Sequence, residues 1–195
     1  MFFLEIFMYT LVLLFFIADC YLILKFIEYL YCTYILKQPP MVSSANVLRK
    51  EVLRQITTHY KNAKTICDFG SGFGGLTRLI AKNTNAAVYG LENMPFSVFI
   101  SKLLDLFYKT NNKTIWCNAF EYMKTTTMKF DVVIAYLGPD TTKKLLKYKN
   151  KMHVLILLDF DIKGKKPTRI IDIGYGSTIY HGKFYPHKLF IYEFK

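Results

Sequence analysis

The chain of 195 residues carries 26 lysines and arginines against 14 aspartates and glutamates, a net charge of +12, and is 52% apolar. That length admits one ordinary domain plus an appendage and leaves no room for a multidomain assembly. Four cysteines without a C-x-x-C pair exclude a disulfide framework and a zinc site, and point to a reducing compartment.

The apolar residues gather at the amino end, where eleven aromatic residues fall between Phe2 and Tyr34. From Ile6 to Leu24 only Thr10 and Asp19 interrupt the run. As a helix this stretch would reach about 28 Å, close to a bilayer core. A carboxylate at mid-membrane costs roughly 2.5–3.5 kcal/mol, but Asp19 lies near one end and can reach the interface. Residues 1–37 are therefore expected to form a transmembrane anchor, either single-pass or lying peripherally on the membrane surface. A cleaved signal peptide fits poorly, since Glu5 stands where a basic stretch is usual and no small-x-small site follows. Tyr21, Phe26, Tyr29, Tyr31 and Tyr34 suit an interfacial belt. Lys25, Lys37, Arg49 and Lys50 place the downstream domain on the cytoplasmic, or matrix-equivalent, face.

Behind the anchor the remaining chain holds 24 basic and 11 acidic residues. Gln38-Pro39-Pro40 cannot continue a helix, so residues 38–64 are read as a linker and a first helix. That helix carries Leu48, Val52, Leu53, Ile56 and Tyr60 at helical spacing, with Ser43 or Ser44 as its cap. Residues 65–195 alternate strands and helices. Strands are predicted at Thr65–Phe69, Ala87–Leu91, Thr114–Cys117, Phe130–Leu137 and His153–Leu158, with a terminal pair at Arg169–Ile173 and Leu189–Phe194. Between them lie a helix with Leu76, Leu79 and Ile80 on one face, and an amphipathic helix opened by Pro95 through Phe99, Leu103, Leu104 and Phe107. A polar helix runs from Asp140 to Lys147. Nearly all-apolar strands separated by helices indicate a doubly wound, mostly parallel, Rossmann-like α/β sheet behind an N-terminal hydrophobic helix.

The first strand runs into Asp68-Phe69-Gly70-Ser71-Gly72-Phe73-Gly74-Gly75. Gly70-x-Gly72-x-x-Gly75 also satisfies the dinucleotide fingerprint, so the glycines alone do not choose a cofactor. Asp68 does more. A phosphate arriving at the following helix would meet its carboxylate, whereas a cationic, phosphate-free cofactor would be favoured. S-adenosyl-L-methionine (SAM) offers an amino group and a sulfonium. Glu92 follows the second strand, 24 residues after Asp68, where it can accept from ribose hydroxyls. Asn118-Ala119-Phe120 follows the third strand and is placed for adenine, Asn118 by hydrogen bond and Phe120 by its ring. The predicted cofactor site is thus Asp68, Gly70, Ser71, Gly72, Gly74, Glu92, Asn118, Ala119 and Phe120.

The fourth strand ends in Tyr136-Leu137-Gly138-Pro139. The Asp/Asn-Pro-Pro-aromatic loop of adenine-amino methyltransferases does not stand there, which disfavours DNA adenine as acceptor. Methyl transfer is an in-line displacement that needs alignment more than a strong base. Tyr136, Asp159 or Asp161 can orient an acceptor amine or relay its proton, and each can equally be a packing or surface residue. His59, His153, His181 and His187 have no partners at metal spacing, so no metal is expected. Lys143, Lys144, Lys147, Lys149 and Lys151, then Lys163, Lys165, Lys166 and Arg169, make either a solvated face or a docking surface for acidic protein or anionic lipid.

Taken together, the chain resembles the membrane-anchored, seven-β-strand (class I) SAM-dependent protein-lysine methyltransferases. Their mitochondrial members methylate inner-membrane proteins, and they have bacterial relatives. The resemblance rests on the apolar leader, a proline-led loop at Pro40-Met41-Val42-Ser43 and the Asp68 to Gly74 turn. Gly90-x-Glu92 with Pro95-Phe96, Tyr136-Leu137-x-Pro139 and Asp159-Phe160 complete it. It implies a SAM-dependent lysine N-methyltransferase with a membrane-associated protein target, and adds Pro40 and Val42 to the site as its N-terminal loop. The chain departs from the pattern at Phe73 and Gly75, where relatives tend to have Asp and Arg, and at Met94, where they have Asn. Three other readings stay open: a small or lipid-like acceptor, a non-catalytic SAM-binding interaction protein, and RNA. The basic domain favours RNA, but no appended RNA-binding module accompanies it.

Overall fold

The computed structural model describes residues 2–36, 44–180 and 182–194. The expected loop residues Pro40 and Val42, the capping Ser43 and His181 lie outside the described residues. The chain divides into two compact units, Met1–Val42 and Ser43–Lys195.

In the first unit, helix α1 (Phe2–Leu30) is followed by a π-helical stretch, Tyr31–Leu36. Within α1, Phe3–Leu24 has a mean hydropathy of 2.3 and is long and apolar enough to cross a membrane. Its apolar side chains are exposed on every side, as expected of a helix without a polar face. Thr10 Oγ1 donates to the Ile6 carbonyl, which keeps this hydroxyl satisfied by the helix itself.

The second unit begins with α2 (Asn46–His59), which buries Leu48, Val52 and Ile56. The N-cap is Ala45, with no side-chain cap; Ser44 instead accepts a hydrogen bond from Arg49 Nε at 3.1 Å. Five parallel strands come next: β1 (Thr65–Phe69), β2 (Ala87–Glu92), β3 (Lys113–Trp116), β4 (Phe130–Ala135) and β5 (Met152–Leu158). Helices α3 (Gly75–Asn83), α4 (Pro95–Phe107), α5 (Ala119–Thr125) and the single turn α6 (Pro139–Thr142) separate them. Strands β6 (Arg169–Tyr180) and β7 (Lys183–Glu193) close the sheet in the order β3-β2-β1-β4-β5-β7-β6, with β7 antiparallel to both neighbours.

The side-chain period of two divides each central strand between two cores. Ile66, Val132, Ile134, Val154 and Ile156 face one side, where α2 and α3 supply Val52, Ile56 and Ile80. Cys67, Phe69, Val133, Leu155 and Leu157 face the other, with Met123, Leu145 and Tyr192. Burial, with the negative charge of Asp68 adding to it, pushes the Cys67 thiol well above its usual range, so it is inert packing.

Three elements differ from the sequence reading. The expected polar helix 140–147 is one α turn followed by a tighter 3₁₀ stretch, Lys143–Lys151, kinked at Tyr148. The terminal strands are roughly twice as long as expected and form an extended hairpin, with a register shift between Asp172 and Ser177 where Gly174 and Gly176 take positive φ. Most informative is α4, which turns its polar side inward. Ser97, Val98, Ser101 and Asp105 are buried, while Phe99, Leu103, Leu106 and Phe107 face outward. The inversion results from a hydrogen-bond network. Asp105 accepts from Arg78 Nη1 at 2.9 Å, Asn112 Nδ2 at 2.8 Å and Thr114 Oγ1 at 3.1 Å, and Ser101 shares a hydrogen bond with Thr114 at 3.0 Å. A buried carboxylate paired this fully outweighs the pull of the apolar stripe.

Candidate functional site

The glycine turn sits at the carboxyl edge of β1, at the point where the strand order reverses between β1 and β4. The Gly70 and Ser71 amides donate to the Leu91 carbonyl at 2.9 and 3.1 Å, which ties the turn to β2. Gly70 has a φ of +72°, and a Cβ there would meet nothing within 4 Å, so the backbone borders open space. Gly74, at φ +73°, has no such room, because a Cβ would collide with Ser101 Oγ and Arg78 Nη1. The Ser71 hydroxyl turns inward against Gly90 and has no hydrogen-bond partner among the described residues.

Two buried carboxylates flank the turn. Glu92 Oε2 accepts from the Gly72 amide at 2.8 Å, and Oε1 accepts from the amides of Asn93 at 2.9 Å and Met94 at 2.8 Å. Glu92 is therefore a staple between β2 and the turn, and a ribose hydroxyl would share Oε2 with Gly72. Asp68, buried at the strand end, has its pKa pushed up from 3.8 to about 8. Burial is the main cause, the charge of Glu92 adds to it, and Arg49 opposes both. Arg49 reaches the turn from α2, where a Cβ on Gly75 would come within 2.6 Å of its Nη1. Arg78 crosses the other side of the turn, donating to the Phe73 carbonyl and pairing with Asp105.

The raised pKa has a stability consequence whose sign is fixed. The fold favours neutral Asp68, so its contribution is fully present below about pH 4 and is lost as pH rises through about 8. In thermal melts without ligand, Asp68→Asn is expected to flatten the decline between pH 5 and pH 8.5 and to melt higher than the parent at the alkaline end. A variant that tracks the parent across that window would show that Asp68 ionises normally.

At the next strand end Asn118 caps α5, its Oδ1 accepting from the amides of Phe120 at 3.0 Å and Glu121 at 3.3 Å. The cap occupies its carbonyl oxygen and orients Nδ2. Ala119 and Phe120 are half-buried, and the Phe120 ring stands edge-on to Phe69 at 5.9 Å, beside Tyr148 at 6.4 Å. These residues line the same carboxyl edge as the glycine turn.

Beyond β4 the structure assembles a cluster around Asp159, which has a φ of +62° directly after β5. Its carboxylate accepts from Thr178 Oγ1 at 2.7 Å, Tyr136 OH at 3.1 Å and the Lys188 amide at 3.2 Å, and lies 3.0 Å from His187 Nδ1. The Tyr136 and Thr178 hydroxyls stand side by side on that carboxylate. The Tyr136 phenol is pushed up to about 12, first by burial; Asp159 raises it further and Thr178 works against both. Phe160 stacks on Tyr136 at 6.4 Å, and Tyr185 and Tyr180 meet its ring edge-on at 4.8 and 5.3 Å. Tyr180 covers Gly138, and Leu137 and Pro139 are half-buried beside it. Sequence reading named Tyr136 and Asp159 but missed His187, Thr178 and Arg49. Asp161 is exposed, and His153 lies on the surface, 3.8 Å from Asp131. Among the described residues no group of three His, Cys, Asp or Glu side chains gathers to hold a metal.

No family model matches the chain, and no curated protein sequence does. Among solved structures it is similar to an RNA methyltransferase from Salinibacter ruber in complex with S-adenosyl-L-homocysteine. The TM-score is 0.63 at 18% identity, covering 78% of this chain and 93% of that one. It is also similar to TrmK of M. capricolum in complex with S-adenosyl-homocysteine, with a TM-score of 0.55 at 19% identity, covering 73% and 67%. A third is magnesium protoporphyrin IX methyltransferase from Synechocystis PCC 6803 with bound SAM, with a TM-score of 0.55 at 14% identity, covering 85% and 96%. At these identities the likeness establishes the fold. The second unit has the class I SAM-dependent methyltransferase fold, on which the RNA methyltransferase and the magnesium protoporphyrin IX methyltransferase act on different acceptors.

Proposed function

We propose that the chain is a membrane-anchored, SAM-dependent N-methyltransferase whose acceptor is a lysine side chain of a membrane-associated protein. The observation that carries the cofactor is the pair of buried carboxylates, Asp68 and Glu92, beside a glycine turn open at Gly70. The charge of Glu92 repels phosphate, and Asp68, neutral in the free protein, ionises when a cation lies beside it, so the site favours a cationic cofactor. Arg49 beside the same turn suits the carboxylate of an amino-acid moiety, and Phe120 suits the face of a purine. Bound there, SAM supplies a sulfonium methyl carbon open to in-line attack.

The acceptor side fits an amine. Tyr136, Phe160, Tyr180 and Tyr185 form an aromatic wall, and burial, with Asp140 adding to it, raises the Tyr180 hydroxyl's pKa. Such walls attract ammonium groups. Because the Tyr136 phenol is neutral at physiological pH, it orients the amine by its oxygen and passes a proton toward Asp159 instead of acting as a phenolate. The Asp159 side chain is wholly buried and works through Tyr136, as a positioning residue. The membrane association rests on Phe3–Leu24.

Tyr136→Phe keeps the stacked ring and removes only the hydroxyl. It is expected to lower kcat by on the order of 10²-fold with KM little changed, which steady-state kinetics would read. Labelling of membrane extract with tritiated SAM tests the acceptor. Label lost to protease supports a protein substrate, while label that resists protease and extracts into solvent would establish the lipid-like or small acceptor in its place. Nuclease-sensitive label would establish RNA. Absence of SAM binding in calorimetry would leave an interaction protein on a methyltransferase fold.

A further inference from the structure

We infer that the outward face of α4 docks on an anionic lipid surface. Leu106 and Phe107 are 78% and 76% exposed, and Phe99 and Leu103 extend the same apolar stripe along the helix. Trp116 stands at its amino end, exposed, with Nε1 donating to the Asn93 carbonyl at 3.0 Å. Tyr108 stands at its carboxyl end, edge-on to Phe107 at 5.2 Å. Contiguous exposed faces of this kind mark contact sites.

The rim names the partner. Lys82, Lys102 and Lys109 are exposed around the stripe, and Lys82 Nζ sits 4.4 Å over the Tyr108 ring. The one acid of α4, Asp105, is buried against Arg78, so no exposed residue of the helix carries negative charge. Aromatic and leucine side chains inside a rim of lysine alone are the composition of a helix lying in a membrane interface, with tryptophan and tyrosine at headgroup depth. A folded protein partner of ordinary surface would leave some of those lysines facing like or neutral charge, whereas anionic headgroups match all three. A chain that also carries a helix able to cross a membrane holds this face near a bilayer, where even weak docking is effective.

Trp116 is the single tryptophan of the chain and lies in the proposed contact. The full-length protein, reconstituted in phosphatidylcholine vesicles with and without phosphatidylglycerol, reports docking by its intrinsic fluorescence. Flotation reads the anchor and Trp116 reads the face, so either can fail alone, and neither depends on the methyl acceptor. The expected result is a blue-shifted emission, loss of most intensity to brominated acyl chains and protection from acrylamide, all confined to vesicles with phosphatidylglycerol and weakened by high salt. Leu106→Asp with Phe107→Asp, and separately Lys102→Glu with Lys109→Glu, should restore acrylamide quenching while leaving far-UV circular dichroism unchanged. Trp116 that stays open to acrylamide in anionic vesicles overturns the inference, as does protection independent of headgroup charge. Protection in detergent that grows with protein concentration would assign the face to a second copy of the chain.

Discussion

Asp159→Ala is expected to destabilise the domain by about 3–5 kcal/mol, the cost of leaving a buried imidazole, two hydroxyls and a backbone amide without their shared acceptor. The carboxylate is the common acceptor for Tyr136, Thr178, His187 and the Lys188 amide, which come from three different segments of the chain. Removing it leaves a buried imidazole and two hydroxyls facing an apolar methyl group, and leaves an alanine at φ +62°, where asparagine or aspartate is better tolerated. For a domain of this size the melting temperature should fall by on the order of 10 °C. Asp159→Asn keeps the shape and the backbone preference and should recover part of that loss. A double-mutant cycle with His187→Ala separates the pair from the network: a coupling of at least about 1 kcal/mol is expected for groups in contact. Additive effects would mean that His187 and Asp159 only happen to be neighbours.

That cluster also shows where sequence reading runs out. β1, β2, β4 and β5 were legible because each is a short apolar run between breakers, and their ends carry Asp68, Glu92, Tyr136 and Asp159 at the carboxyl edge. His187 was not, because it lies 28 residues from Asp159 and reaches it only through the long antiparallel pairing of β7 with β5. Nothing in the spacing of histidines encodes that register. Gly176 carried a faint signal, since a Cβ there would collide with the His187 ring. The inversion of α4 was hidden for another reason. Hydrophobic periodicity assumes that apolar residues win the interior, and Ser101, Asp105, Arg78, Asn112 and Thr114 win it here by satisfying one another. Asn118 could have been read as a cap, since Glu121 stands three residues later in the capping-box spacing. Arg49 occupies the space beside Gly75, so any side chain at position 75 would have to displace the guanidinium that α2 brings to the turn.

Glu92→Ala is expected to cost the free protein stability as well as cofactor affinity, and the two losses distinguish a staple from a simple ribose ligand. In the free domain both carboxylate oxygens already serve backbone donors, Gly72 on one side and Asn93 with Met94 on the other. Three amides lose a charged acceptor in the variant. Each unsatisfied group costs roughly 1–3 kcal/mol where water cannot replace it, so a loss of about 2–4 kcal/mol is expected once partial hydration of the open turn is allowed for. SAM affinity should fall by about 10²-fold or more, equivalent to roughly 2.7 kcal/mol, because the turn must then be ordered by the ligand itself. Glu92→Gln is not a rescue: its single carbonyl oxygen can face one set of amides while its NH₂ opposes the other. It should, however, relieve Asp68 of a neighbouring negative charge, lower the Asp68 pKa from about 8 and so flatten the alkaline decline in stability. Melting curves of ligand-free protein across pH, with calorimetric titration of SAM, read both effects. A Glu92→Ala protein as stable as the parent but weaker for SAM would restrict Glu92 to the ligand and undo its role as the staple of the turn.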